Sequence, residues 1–595
     1  MERKYNTENL PINESLDRFS IPYTPEKFTE EELLLLKPFF TNVDKPVFIT
    51  LGLPEEINAA LDSRYSRSNK SKRRLFLDEY AKNIMSPEEA SDWEKLLPDE
   101  QAEAKQNAIQ FKEYVDFINR NGGLNNINNT KRARKFFKKW LSDYGDDSIA
   151  EMGSGIHLSI EGVSSVVLEE IVSKRIGLSP IVKSTRYVSF QEKRVDGEYQ
   201  YIVPGEIVGS ELENDYREVM NQLFDIYSNI SEPYLDYIKV QYPKDDEESD
   251  VSFEKSRAAK RFDDLRELLP FATQNSMGLV GNGRAFEDLV NRLLACGLGE
   301  ARWVGKEILD EIDKVTPSFV ERPKTTRGAA VQLYRHNVDV VRSEMVSEVL
   351  AGLPEGELLR WSTLISSTPD ADVEIISTFL HSGDSRKNLG QIREKIKSLS
   401  QEERAGLLEK LLDERSFGKG ETNRLSDRFN KVTRAFENVH YLFEVFGRGG
   451  DMRDLHRHRM STEEHSPYTV IWGYDVEKEV EDSVFYNQIK DVFEKAEELY
   501  HKVEKRFGSE VAQYVVPFGF IQQWYVNLTA REIYWIGELR TGPQARPHYK
   551  EIVLDFVDHA IKRDPSVFSG ILVDRNDYRL SRRESEIKAE KKRSS

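Results

Sequence analysis

LLPFATQNSMGLVGNGRAFEDLVNRLL at residues 268–294 and VVPFGFIQQWYVNLTAREIYWIGELRT at residues 515–541 read as two diverged versions of one stretch. Each opens on a Pro-Phe pair, at Pro270 and Pro517, and each reaches an arginine fourteen residues after the proline, Arg284 and Arg531, without a gap. Self-similarity at a long spacing signals a duplicated architecture. Working outward, PSF (317–319) is echoed by PSVF (565–568). Upstream, DSIAEMGSGIHLSIEG followed by SKR is echoed by RAFENVHYLFEVFG followed by RHR, which puts Glu151 and Glu437 in corresponding places. The economical organisation is two diverged modules, 40–330 and 331–580, with an N-terminal extension at 1–39 and a basic tail at 581–595.

Composition bounds what such a chain can be. With 595 residues it can bury a large core, and 32% charged and 38% hydrophobic residues fit a globular protein. No stretch approaches the roughly 18–20 consecutive apolar residues of a membrane span, and the opening MERKYNTENLPINESLDRF lacks the apolar core of a signal peptide. A cytoplasmic protein with no membrane partner is expected. The net charge of −18 argues against broad nucleic-acid binding, which needs a basic surface. It leaves room for a small anion, because a few arginines converging in a cleft set the local field. The single cysteine, Cys296, excludes a disulfide framework and a cysteine-rich zinc site. Its apolar setting, LVNRLLACGLG, reads as a buried free thiol.

Apolar residues recur every three or four positions in EELLLLKPFF (31–40), DSVFYNQIKDVFEKAEELYHKVEKRF (482–507) and EIVLDFVDHAIKR (551–563), which predicts helices. Strand-like runs are short: KPVFITLGL, YQYIVPG and YTVIWGY. KDDEESD (244–250) and STPDADVE (367–374) read as loops, and KAEKKRSS as a frayed end. The predicted class is helix-rich α+β, two copies of a short mixed or antiparallel sheet flanked by helices.

Candidate chemistry concentrates in DLHRHRMSTEEHSPY (454–468), which holds three of the ten histidines. A solvated basic turn, a metal site on His456, His458 and His465, and an anion clamp are all open readings. The clamp has a physical rationale in arginine's planar fork, which grips phosphate through paired charge-assisted bonds. The corresponding place in the first module is VSKRIGLSPIVKSTRYVSF, where Ser184, Thr185, Arg186 and Tyr187 could form a phosphate cradle or a plain surface turn. Ser148 and Glu151 spell a helix-capping box, and an Asn-Gly turn accounts for Asn282 without a ligand. The basic run RYSRSNKSKRR (64–74) reads chiefly as a solvated helix face, with a phosphate-facing stretch as the alternative.

These clusters resemble one family. Flavin-dependent thymidylate synthases carry RHR followed by Glu-x-Ser-x-Arg-Tyr, with a Glu-His pair 22 residues before the last arginine of RHR; here Glu437 lies 22 residues before Arg459. RHR is Arg457, His458 and Arg459, whereas the SxRY element stands in the other module as Ser184, Thr185, Arg186 and Tyr187. The YGDDS stretch at 144–148 matches the long, tandem subgroup. The family's C-terminal pattern is an arginine four residues before a proline, then Asn-x-Arg, then an arginine nine residues on. Module one keeps Arg266, Pro270, Asn282 and Arg284 but has Leu293 last; module two keeps Pro517, Arg531 and Arg540 but has Gln513 and Thr529. Other departures are Glu151-Met152 and Glu437-Asn438 for Glu-His, Ser173-Lys174-Arg175 for RHR, Val182 for the glutamate before SxRY, Asp454 for a glutamine, and Glu464-His465-Ser466-Pro467-Tyr468 without its arginine.

The resemblance implies a reaction in which reduced nicotinamide (NADPH) reduces FAD and methylenetetrahydrofolate supplies carbon to convert dUMP to dTMP. It implies Ser184, Thr185, Arg186, Arg266 and Arg457 on the nucleotide. Arg457, His458, Arg459, Asn282, Arg284 and Ser148 would hold FAD, no metal would be needed, and Arg540 would act both in binding and in activating the uracil ring. Because the two copies retain different pieces, it also implies one composite site built from complementary halves, with a homodimer imitating the family's tetramer. Two rivals stand beside it: a non-catalytic flavin- or nucleotide-binding protein, and a metal hydrolase on His456, His458 and His465.

Overall fold

The computed structural model describes residues 15–90, 93–124, 131–143, 148–153, 155–173, 177–246, 248–354, 356–359, 361–413, 415, 428–458, 460–580 and 582–594. Two compact units are present. Unit 1 takes Met1–Phe224, Phe271–Pro354 and Lys502–Val515; unit 2 takes Asp225–Pro270, Glu355–His501 and Val516–Ser595. Each unit therefore includes sequence from both copies of the repeat.

Unit 1 is organised on β1 (Val47–Thr50), β2 (Ile156–Ser164), β3 (Leu178–Val182) and β4 (Gln274–Gly281), in the order β1-β2-β4-β3 with every neighbour antiparallel. Leu158 opposes Leu279 and Ile160 opposes Met277, and all four are fully buried, giving the apolar face its core. The other face is polar. Thr50 opposes His157 and Ser159 opposes Gly278, so these residues share one side of the pleat. The helix α1 (Glu55–Tyr65) meets that side. Its Asp62 carboxylate accepts from Lys72 Nζ at 2.6 Å and lies 3.0 Å from His157 Nδ1. The approach needs a glycine, since a Cβ on Gly278 would stand 2.7 Å from Asp62 Oδ1. Lys72 and Arg73 are buried, so the 64–74 run is not the solvated face expected of it; Asp62 neutralises Lys72, and the carbonyls of Asn42 and Lys45 take the Arg73 guanidinium. After β4 come α2 (Gly283–Ala295) and, past the helix Gly299–Val315 that packs on β1, α3 (Thr326–Val349).

Unit 2 repeats the plan. β5 (Ser362–Ser367), β6 (His440–Arg448), β7 (Thr462–His465) and β8 (Ile521–Thr529) run in the order β5-β6-β8-β7, again antiparallel throughout. α4 (Gly449–Leu455) leaves β6 directly, α5 (Ala530–Arg540) leaves β8, and α6 (Pro547–Arg563) follows. The equal strand order makes the duplication a property of the fold, and the helix-rich α+β reading of two diverged copies holds.

The repeat extends to single bonds. Asn282 Oδ1 caps α2 by accepting from Ala285 N, and Thr529 Oγ1 caps α5 by accepting from Glu532 N. Asparagine and threonine both do that work, which explains how the exchange is tolerated. The second residue of each helix then reaches the glutamate matched to it by sequence: Arg284 Nη1 to Glu151 Oε1 and Arg531 Nη1 to Glu437 Oε1, both 2.6 Å. In unit 1 Ala272 N donates to Tyr514 O, and in unit 2 Gly519 N donates to Glu267 O. The offset that carries Pro270 to Pro517 interchanges those two bonds.

Some local readings change. YQYIVPG and YTVIWGY contribute only single bridges, Tyr201 to Thr273 and Tyr474 to Phe520, because Pro204 closes the first run and a turn from Val470 to the left-handed Gly473 (φ 71°) takes up the second ahead of Tyr474. The polar 367–374 stretch contains the start of a helix, Ala371–His381, driven by buried Val373, Ile375 and Ile376. The basic end is helical over Arg583–Ser594 and is tied down, with Arg583 on Asp245 and Glu248 and Glu590 accepting from Ser249. Cys296 sits at the C-cap of α2, and burial pushes its thiol well above the ordinary range. Among the described residues no helix is long and apolar enough to cross a membrane.

Candidate active site

The sharpest convergence of expected site residues lies in unit 2. Arg540, the last residue of α5, directs Nε to His458 Nε2 at 2.9 Å and Nη2 to the carbonyl oxygen of Asp454 at 3.0 Å. Those bonds run to the end of α4, not to the last carbonyls of its own helix, so the guanidinium is not the simple dipole partner that a helix-terminal arginine often is. With Nε2 accepting, the His458 ring carries its proton on Nδ1. Asp454 in turn receives Arg266: Nη2 donates to Asp454 Oδ2 at 3.0 Å and to the carbonyl of Gly450 at 2.7 Å. A Cβ on Gly450 would come within 2.9 Å of that Nη2, so the arginine's seat requires the glycine. Arg266 from the first repeat and Asp454, His458 and Arg540 from the second thus form one hydrogen-bonded chain inside a single unit.

A buried ionic lattice holds this chain from beneath. Arg546 is 1% exposed and reaches Glu267 Oε1 at 2.8 Å, Asp451 Oδ1 at 3.2 Å and Glu477 Oε1 at 3.2 Å. Arg448 pairs with Asp475 at 2.6 Å and with Glu477 at 2.9 Å, while His548 Nδ1 meets the other oxygen of Asp451. Arg546 therefore joins the turn bearing Arg266 to the helix bearing Asp454. Burial pushes Glu267 up in spite of Arg546 and Arg266. Burial would raise Asp451 too, but His548 and Arg546 hold its carboxyl at about 2.

The lowered Asp451 makes a pH statement. A carboxyl whose folded pKa is depressed contributes stability above its unfolded value, and that contribution is lost as pH falls through the folded value. From the ordinary 3.8 to about 2 the window is pH 4 down to pH 2, worth about 2 kcal/mol. Urea unfolding at pH 5 and pH 2.5 is expected to show wild type losing about 2 kcal/mol more than Asp451→Asn across that interval. Equal losses would remove Asp451 from the acid response.

The other expected site residues fall as follows. Arg457 is exposed at the turn after α4, and Arg459 lies outside the described residues. His456 and His458 are buried, which sets aside the solvated basic turn. The rings of His456 and His465 stack at 6.0 Å while His458 turns to Arg540, and among the described residues no group of three or more His, Cys, Asp or Glu is placed to hold a metal ion.

In unit 1, Ser184 N donates to Ser66 O at 2.9 Å, and Ser184 Oγ accepts from Arg186 N at 3.3 Å. Thr185 is buried, and the Arg67 guanidinium lies 5.2 Å over the Tyr187 ring. Burial lowers the neighbouring Lys183 amine. The turn is thus a built element that packs against the end of α1. Arg284 is 53% exposed beside Glu151, a pair an anion could enter, whereas Asn282 Oδ1 is spent on its helix cap. Ser148 opens a short helix, Ser148–Glu151, but its side chain and residues 144–147 lie outside the described residues, as do Lys174 and Arg175.

Two copies of one antiparallel α+β plan, with arginines from both repeats gathered in one unit, define a duplicated protein. The family described as thymidylate synthase complementing protein matches residues 80–318 and 363–566. The chain belongs to that family. It is 30% identical over 574 residues to a UPF0159 protein of Chlamydia pneumoniae, covering 95% of this chain and 98% of the relative. A UPF0159 protein of Chlamydia muridarum is 31% identical over 564 residues, covering 94% and 98%. One from Thermoplasma acidophilum is 27% identical over 486 residues, covering 77% and 93%.

Proposed function

We propose that the chain is an FAD-dependent thymidylate synthase, converting dUMP to dTMP with methylenetetrahydrofolate as carbon donor and NADPH as reductant. The observation that carries the reading is the chain Arg266–Asp454–Arg540–His458. Three of its members stand where the family resemblance expects a phosphate ligand, a flavin contact and the uracil-activating cation. They come from different repeats, as a site divided between complementary copies requires. Exposed cations suit the diphosphate of FAD, and each unit by itself offers one, Arg457 in unit 2 and Arg284 in unit 1. Bound FAD would supply the redox chemistry of the carbon transfer.

In this reading Arg540, held by His458 and the Asp454 carbonyl, places a fixed positive charge where negative charge develops on the pyrimidine. Arg266 binds the nucleotide's anionic end, with Asp454 fixing its guanidinium plane. Arg457, His458 and Arg459 hold flavin. On unit 1, Ser184, Thr185 and Arg186 are nucleotide ligands, and Asn282, Arg284 and Ser148 are flavin contacts. The protein acts in the cytoplasm as a homodimer.

The test is direct. Purified chain given FAD, NADPH, methylenetetrahydrofolate and dUMP is expected to be yellow and to form dTMP at a rate that depends on each addition. Protein that binds flavin or dUMP yet forms no dTMP would favour the non-catalytic alternative.

A further inference from the structure

KRARKFFKK at residues 131–139 places six basic residues in nine, with no acidic one, in a chain whose net charge is −18. The segment belongs to unit 1 and is helical: an α-helix, Lys131–Phe137, runs on into a π turn, Lys138–Asp143. At about 100° per residue the cations fall on one side of the helix and the apolar residues on the other. The structure keeps that division. Phe137 sets its ring against Phe319 at 4.9 Å and Leu141 is buried in the same cluster, so the apolar side is docked on the unit's own core. Arg132, Arg134, Lys135, Lys138 and Lys139 are all exposed. Phe136, at the border of the two sides, is 49% exposed. Such a face is unfavourable to its own helix. Arg134 and Lys138, like Lys135 and Lys139, are equal charges one turn apart, and the first turn carries no acidic residue to meet the dipole. Among the described residues no carboxylate pairs with Arg132, Arg134, Lys135 or Lys138, whereas the exposed Arg284 of the same unit is met by Glu151.

We infer that this helix face is a docking site for single-stranded nucleic acid, with phosphates along the cations and a base on the Phe136 ring. A polyanion supplies the countercharge that the helix lacks. A strand is narrow enough to follow one face, about 10 Å from Arg132 to Lys139, without laying its phosphates against the rest of a strongly acidic chain. An anionic membrane is a plane and would meet that surrounding charge as well. The apolar side that an interfacial helix sinks into lipid is, moreover, spent here on Phe319. An exposed aromatic ring beside cations is the combination that holds single strands, because every base has a face to stack. The average charge excludes a broad nucleic-acid surface, but a stripe is governed by its local field. The inference is independent of the enzymatic reading, and activity plays no part in its test.

Fluorescence anisotropy of labelled single strands, one of DNA and one of RNA, is expected to show binding to the full chain at about 50 mM salt. Excess dUMP in the same solution fills any mononucleotide site and should leave that binding unchanged. At about 200 mM salt the affinity should fall about 20- to 100-fold, the loss that three to five neutralised phosphates produce. Arg134→Gln/Lys135→Gln/Lys138→Gln is expected to flatten the slope of log affinity against log salt by about 2. Its thermal midpoint should not fall, since the charges removed only repel one another. Phe136→Ala is expected to weaken binding about fivefold or more while keeping the parent's salt slope, because stacking carries no charge. Neither strand binding at the lower salt, a triple variant with the parent's slope, a Phe136→Ala variant of parent affinity, or capture by phosphatidylserine vesicles but not by the strands would each overturn the site.

Discussion

Arg540→Ala is expected to lower kcat for dTMP formation by about 10²–10³ while leaving the flavin spectrum and the KM for dUMP within a few-fold of wild type. The size follows from what the guanidinium does. It is partly buried at the end of α5, held by His458 Nε2 and the Asp454 carbonyl, so its orientation costs nothing at the moment of reaction. A fixed cation in a water-poor site acts mainly on the charge that develops in the transition state, which is why the loss should fall on kcat. Arg540→Lys should recover little, because an ammonium cannot bond the ring nitrogen and the carbonyl in the same fork. Steady-state kinetics with the flavin spectrum recorded for each variant decides it. Equal kcat in wild type and Arg540→Ala would take Arg540 out of the mechanism.

Arg546→Met is expected to destabilise unit 2 by about 3–5 kcal/mol, the usual cost of removing one member of a buried ionic cluster. Glu267, Asp451 and Glu477 all lean on this one guanidinium, and each is buried. Arg448 and His548 still face Glu477 and Asp451, but Glu267 is already pushed up by burial and would keep only Arg266 beside it and the weaker pull of Arg448. That leaves Arg266 drawn toward Glu267 and away from Asp454, so a milder substitution that still folds should lose nucleotide affinity as well. Urea unfolding followed by tryptophan fluorescence measures the first effect. A change under 1 kcal/mol would show that the lattice does not hold the site.

The repeat was legible because its markers are chemically constrained. Pro270 and Pro517 sit in matching turns, and Asn282 and Thr529 are equivalent caps whose helices each send an arginine to the matched glutamate. Residues so constrained keep their type or change to a close substitute, and that survives divergence. The buried charges were not legible. Lys72 and Arg73 look like part of a solvated face until Asp62 and the 42–45 turn are known to cover them. Arg546 and His548, around Pro547 at the start of α6, carry no periodic signal, and their partners Asp451 and Glu477 lie about 70 to 97 residues away in sequence. The one available hint was Asp451 and Asp454 inside a short helix whose other residues are glycine, methionine, leucine and a single arginine, Arg453, so that two carboxylates must find partners. The resemblance points to Arg266, His458 and Arg540, but only the fold shows that Asp454, counted among the departures, is the residue that links Arg266 to Arg540, which in turn holds His458.

The central claim is that Arg266 of one repeat and Arg540 of the other serve a single site. A double-mutant cycle on kcat/KM for dUMP, using Arg266→Met, Arg540→Met and the double variant, tests it most directly. Residues of one site acting on one substrate should couple by about 1–3 kcal/mol, so that the double variant is scarcely worse than the poorer single. Strictly additive losses, or an Arg266→Met protein that turns over like wild type, would contradict it.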